Sequence, residues 1–228
     1  MKLDFEGRDV VVTGATGELG EAVARRLLEA GATLHLPARD AAKAPSGKRV
    51  HVTGGIDLTD EASVSRYYAS LPPLWASIHS AGGFSAGAID ATGLADLRRM
   101  LDMNGVTAFL CSREAVKNMR GRGGRIVNVS AQAGIEPRRG HGMIAYTTSK
   151  AAVAALTLAL AEEVASEGIW VNAVVPSIMD TDANRKAMPK ADFSKWPNLD
   201  DVAATVAFLA SPQNGVTRAA LVPVYGKS

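Results

Sequence analysis

The stretch Asp9-Val10-Val11-Val12-Thr13-Gly14-Ala15-Thr16-Gly17-Glu18-Leu19-Gly20 carries most of the information about the fold. Val10, Val11 and Val12 form a β-branched run without polar alternation, the pattern of a strand buried on both faces. Past the glycines, Leu19, Ala22, Val23, Leu27 and Ala30 recur at helical spacing, and Gly31 stops that helix. A strand, a glycine turn and a helix in this order make a phosphate cradle. Gly14 turns the chain, Gly17 admits a pyrophosphate to the backbone, and Gly20 lets helix meet strand, with the free N–H groups of the helix start facing the phosphates. No Gly-Lys-Ser/Thr follows, so this is not a P-loop.

The same alternation runs outward from this unit to the end of the chain. Strands are expected at 32–37, 49–53, 75–79, 125–130, 168–175 and 219–225. Helices are expected at 60–71, 93–120, 143–167 and 200–210. No repeat or linker divides them. The expectation is an α/β fold: one doubly wound parallel sheet of about seven strands over residues 1–228, with helices on both faces. The polar, proline-containing stretch 181–197 is the lid candidate.

Composition narrows the function. Lysine and arginine total 25 against 23 aspartates and glutamates, a formal charge of +2, too balanced for a protein that lives on nucleic acid or anionic lipid. Cys111 is the one cysteine, which excludes an internal disulfide and a cysteine-rich zinc site and suits a reducing cytosol. Residues 1–8 carry four charges and no apolar run, so no signal peptide is expected, and the uncharged stretch 151–161 is short of the ~20 residues that span a bilayer. His35, His51, His79 and His141 show no metal-ligand spacing, and no metal is assigned. The expected location is cytoplasmic and the expected partner a small-molecule substrate.

Two chemically suggestive features lie farther along. Tyr146 and Lys150 are four apart on an expected helix, about 6 Å along its axis. An ammonium beside a phenol favours the phenolate, so such a pair can exchange a proton with a carbonyl oxygen; any surface Tyr-x-x-x-Lys shares the spacing. Asn104 sits on the apolar stripe Leu97, Leu101, Ala108, Cys111 and must find hydrogen-bond partners there.

The glycine loop, Asn104, Asn128-Val129-Ser130, Tyr146-Thr147-Thr148-Ser149-Lys150 and Val171-Asn172-Ala173-Val174-Val175-Pro176 together resemble the short-chain dehydrogenase/reductase family in order and spacing, over essentially the whole chain. The resemblance implies a Rossmann-type fold, a nicotinamide dinucleotide, and hydride transfer between its ring and a carbonyl, alcohol or imine-like carbon. It implies Tyr146 as general acid/base, Lys150 as its tuning cation and ribose ligand, and Asn104 as holder of a water relay, with Ser130 the candidate to stand in for the family's substrate-bonding serine. Cofactor contacts are implied for Gly14, Thr16, Gly17, Glu18, Leu19, Gly20, Asp57, Leu58, Ala81, Gly82, Pro176 and Thr181, besides Tyr146 and Lys150. Members usually dimerise or tetramerise, and the small-residue helix 150–161 leaves room for that. Asp57 and Thr181 are equally placed to cap helices.

Departures from the pattern matter. The family's serine position, counted from Asn-Val, falls on Ala131, so either Ser130 moves into the role or the hydroxyl is absent. The branch of quinonoid dihydropteridine reductases also lacks that serine and reduces a ring C=N; Ala81-Gly82-Gly83-Phe84, the run 142–146 and parts of 180–194 resemble it. Ser80 and Ser177 replace a family asparagine and glycine. The acidic residue that selects NAD at the end of the second strand is replaced by Ala38, followed by Arg39, which suits the 2′-phosphate of NADP, although Asp40 is near enough to neutralise it and the glycine loop holds no basic residue. NADP is therefore the expected cofactor, with NAD second. Arg138 and Arg139 offer an anion dock or a solvated loop, and Lys186, Met188 and Phe193 a pocket lining or a surface loop. A non-catalytic nucleotide-binding scaffold and a sugar-nucleotide epimerase are the rivals.

Overall fold

The computed structural model describes residues 3–228; Met1 and Lys2, the start of the expected domain, lie outside them. Seven strands form one parallel sheet: β1 (Asp9–Thr13), β2 (Thr33–Pro37), β3 (Val50–Thr53), β4 (Ala76–His79), β5 (Gly124–Val129), β6 (Ile169–Pro176) and β7 (Leu221–Val224). Their order is β3-β2-β1-β4-β5-β6-β7. The chain leaves β1 in one direction and returns beyond it through β4, so the sheet opens a crevice between the C-terminal ends of these two strands, where doubly wound sheets take their ligands.

Helices α1 (Glu18–Glu29) and α8 (Leu199–Ala210) cover one face, burying Val10, Val12, Leu34 and Ile78. On the other face α2 (Glu61–Ala69), α4 (Thr107–Met119) and α6 (Ile144–Glu163) pack over Val11, Ile126 and Val171. α6 is long and apolar enough by length and composition to cross a bilayer, yet Val153, Ala154, Thr157 and Ala161 are buried and it lies along the sheet. Cys111 is buried on α4. Beside it runs an interior polar chain: the Tyr68 and Ser77 hydroxyls lie 2.9 Å apart, Ser77 and Asn128 hold the two nitrogens of His79, and Asn128 donates to Thr157.

Several expectations change in detail. The helix expected over 93–120 is α3 (Leu94–Met100), a π-helical turn (Leu101–Val106) and α4, so its stripe does not keep one helical register throughout. The expected lid contains α7 (Asp182–Ala187) and a 3-10 turn, Phe193–Lys195. Its ends meet, because Asp180 N–H donates to the Pro197 carbonyl, and inside it Arg185 binds Asp180 and lies over the Phe193 ring. Phe193 is thus packed within the segment. A four-residue helix, α5 (Gln132–Ile135), follows β5 and was not expected.

Candidate active site

Gly14 has a positive φ of 72°, and a Cβ there would fall 2.6 Å from the Ala81 nitrogen, so the glycine loop and the loop after β4 touch. Ser80 donates to the Thr13 carbonyl at 2.6 Å and the Thr13 hydroxyl accepts from Ala81 N–H, fastening the two loops together. A Cβ at Gly20 would meet the Gly14 carbonyl at 2.1 Å, which is why helix and turn tolerate only glycine there. Gly17 is different: a Cβ would find only the Gly14 carbonyl, at 3.5 Å. No side chain caps the start of α1, so its first N–H groups face outward unclaimed.

These features border a cleft of about 490 Å³ at the crevice between β1 and β4. Gly14, Thr16, Gly17, Arg39, Asp57, Leu58, Ala81 and Gly82 are among its lining residues, joined by Lys43, Thr59, Met103 and Thr107, which sequence reasoning did not single out. The open helix start, the bare Gly17 backbone and a cationic end at Arg39 suit the phosphates of a dinucleotide. Glu18 is exposed and its carboxylate accepts from Asp182 N–H at the start of α7; Leu19 is turned into the core. Thr181 caps α7, accepting from Asn184 N–H. Asp57 accepts from the Thr59 N–H and hydroxyl, which hold its carboxyl below the usual range, while Asp60 caps α2. Asp40 does not neutralise Arg39; it accepts from Ala42 N–H and pairs with Lys43 at 3.6 Å.

At the other end of the crevice Tyr146, Lys150 and Asn104 converge. Lys150 is buried, its Nζ donating to the Val129 carbonyl at 2.9 Å and lying 6.0 Å from the centre of the Tyr146 ring. A Cβ on Gly82 would sit 2.5 Å from Asn104 Oδ1 and 3.4 Å from Lys150 Nζ, so a glycine lets that loop reach the lysine. Gly134 of α5 meets the Lys150 backbone in the same way and sets the height of α6. Asn104, fully buried in the π-helical turn, uses its whole amide: Oδ1 accepts from Gly83 N–H, and Nδ2 donates to the Gly83 carbonyl and the Ser149 hydroxyl. It therefore clamps the loop that carries Phe84. That ring is 62% exposed and meets the Tyr146 ring near edge-to-face, centroids 5.0 Å apart.

The electrostatics differ from expectation. Burial pushes the Tyr146 phenol up to about 12, where a lowered value was expected from the lysine; the ammonium is turned to the Val129 carbonyl. Burial also draws Lys150 down to about 8. Ser130 is 1% exposed and donates to the Lys150 carbonyl at 2.8 Å, so its hydroxyl braces α6. Ala131, the counted serine position, is buried.

Comparison with known proteins agrees with this geometry. The short chain dehydrogenase family profile matches residues 8–192. The chain is 31% identical to a 3-oxoacyl-[acyl-carrier-protein] reductase of Rickettsia felis over 92% of both chains. It is 34% identical to galactitol 2-dehydrogenase of Rhizobium johnstonii, covering 98% of this chain and 95% of that one. A short-chain type dehydrogenase/reductase from Mycobacterium ulcerans superposes with a TM-score of 0.89 at 26% identity, over 99% of this chain and 90% of the other. With glycine loop, parallel sheet and the tyrosine–lysine helix in place, the chain belongs to the short-chain dehydrogenase/reductase family of nicotinamide-dependent oxidoreductases.

Proposed function

We propose that this protein is an NADP-preferring reductase or dehydrogenase of a small carbonyl or alcohol, with Tyr146 as its general acid/base. The observation that carries the reading is the convergence of Tyr146, buried Lys150 and the Asn104-clamped loop around Gly82, which lines the cleft bordered by the glycine loop. The nicotinamide, when bound, supplies or accepts the hydride. Tyr146, protonated across the neutral range, gives its proton to the carbonyl oxygen in reduction and takes it back in oxidation. Lys150 keeps a positive charge beside the phenol and presents donors toward Gly82, where the ribose would lie. Ser130 acts as a brace under α6; substrate orientation falls to Tyr146 and the exposed Phe84 face.

A second reading, reduction of a ring C=N, draws on the same brace: the Ser130 hydroxyl is committed to the Lys150 carbonyl, and the position counted for the ketone-holding serine is Ala131. We further place the enzyme in the cytoplasm as a homodimer or homotetramer. Leu101, Val106, Phe109, Ala152 and Leu156 line an apolar groove between α4 and α6, where a second copy would pack.

Fluorescence titration with NADPH and NADH, followed by turnover assays on ketones and dihydropterins, tests the reading. Tighter NADPH binding, and a Tyr146→Phe variant that keeps it while losing about 10²–10⁴-fold in kcat, is the expected result. Tighter NADH binding removes the NADP preference; binding of neither leaves a scaffold.

A further inference from the structure

Beyond Arg39 the dinucleotide cleft opens into a second groove of about 570 Å³, and the two share Arg39, Asp57, Thr59 and Met103. Arg98 of α3 lines this second groove. The charges around it are not equivalent. Arg99 pairs with Asp96 at 2.8 Å, and Lys43 pairs with Asp40. Asp57 is held by Thr59. Asp102, a further lining residue, is one turn along from Arg98. Among the described residues, Arg39 and Arg98 are the groove's two guanidiniums outside a carboxylate ion pair, and Arg39 lies near enough to Asp57 to help hold that carboxyl low.

A ribose phosphate carries close to two negative charges at neutral pH and three acceptor oxygens. One exposed guanidinium satisfies part of that, and the glycine loop contributes no cation. Arg39 comes from the end of β2 and Arg98 from α3, so two separate elements can supply forks to one anion. We propose that Arg98 is a specificity-determining residue that, with Arg39, holds the 2′-phosphate of NADP in this second groove. This assignment rests on the NADP reading above and extends it to a residue outside the glycine loop and the β2 end. Neither Tyr146 nor Lys150 lines this second groove, so Arg98 sorts cofactors from outside the proton chemistry.

The test measures dissociation constants of the full-length protein for NADPH and NADH by fluorescence, and for 2′,5′-ADP and 5′-AMP by calorimetry. Arg98→Ala is expected to weaken NADPH and 2′,5′-ADP roughly tenfold and to leave NADH and 5′-AMP within about twofold. Arg98→Lys retains part of the NADPH affinity. Unchanged affinities, or equal loss for ligands with and without the 2′-phosphate, overturn the role of Arg98 while the wild-type NADPH preference stands. A wild type that prefers NADH overturns the NADP reading and this assignment together. Unchanged 5′-AMP binding serves as the control for folding.

Discussion

Lys150 holds its charge at a cost, because its ammonium is buried with one backbone carbonyl as partner. Its folded value of about 8 lies below the unfolded value near 10.5. Between these two values the unfolded chain binds the proton that the folded chain has released, so this group makes stability rise as pH goes from about 8 to 10.5. Removing the charge abolishes the effect. Lys150→Met is therefore expected to be more stable than wild type at pH 7, by up to about 3 kcal/mol, and to lose that advantage by pH 10, in urea unfolding at the two pH values. Tyr146 and Cys111, both pushed up to about 12 by burial, oppose this trend at alkaline pH but are common to both proteins. In wild type, reduction should slow as pH passes through about 8, when the lysine charge is lost while the phenol keeps its proton. At this scale the sequence was informative about identity and weak about orientation. The i to i+4 spacing put Tyr146 beside Lys150, but no spacing reveals that Lys150 Nζ turns to Val129 or that Ser130 donates backward into α6.

Among the elements, the glycine loop separates folding from binding within one turn. Gly20→Ala drives a Cβ into the Gly14 carbonyl and is expected to destabilise the fold by about 2–4 kcal/mol, read as a lowered Tm. Gly17→Ala meets nothing closer than 3.5 Å and should fold normally while weakening NADPH binding, because its Cβ enters the phosphate path. Strand β1 and helix α1 were legible because valine runs and a 3.6-residue stripe have distinct periods. The π-helical turn Leu101–Val106 was not, since a single glycine, Gly105, inside a helical pattern does not by itself announce an extra residue; yet the turn places the Asn104 amide against Gly83. Helix α5 is too short for periodicity to show, and the α7 turn hides in a polar stretch where a threonine cap was the sole clue.

For the molecule as a whole, the parallel order follows from alternation and from strands apolar on both faces, which is why one domain was readable from end to end. Between α4 and α6, Leu101, Val106, Phe109 and Leu156 line an apolar groove in which Phe109 is 49% exposed, the face proposed for a second copy. Phe109→Asp combined with Leu156→Asp should yield a monomer in light scattering, with far-UV circular dichroism unchanged; a wild type that is itself monomeric refutes the assembly.

The lone cysteine gives the protein an internal clock. Cys111 is 1% exposed and its thiol is pushed up to about 12, so as folded it has almost no thiolate to offer an alkylating reagent. Labelling by iodoacetamide then proceeds only through states in which α4 has lifted from the sheet. Its rate, followed by intact mass with and without nucleotide, counts how often the interior opens and how far a bound ligand slows that opening.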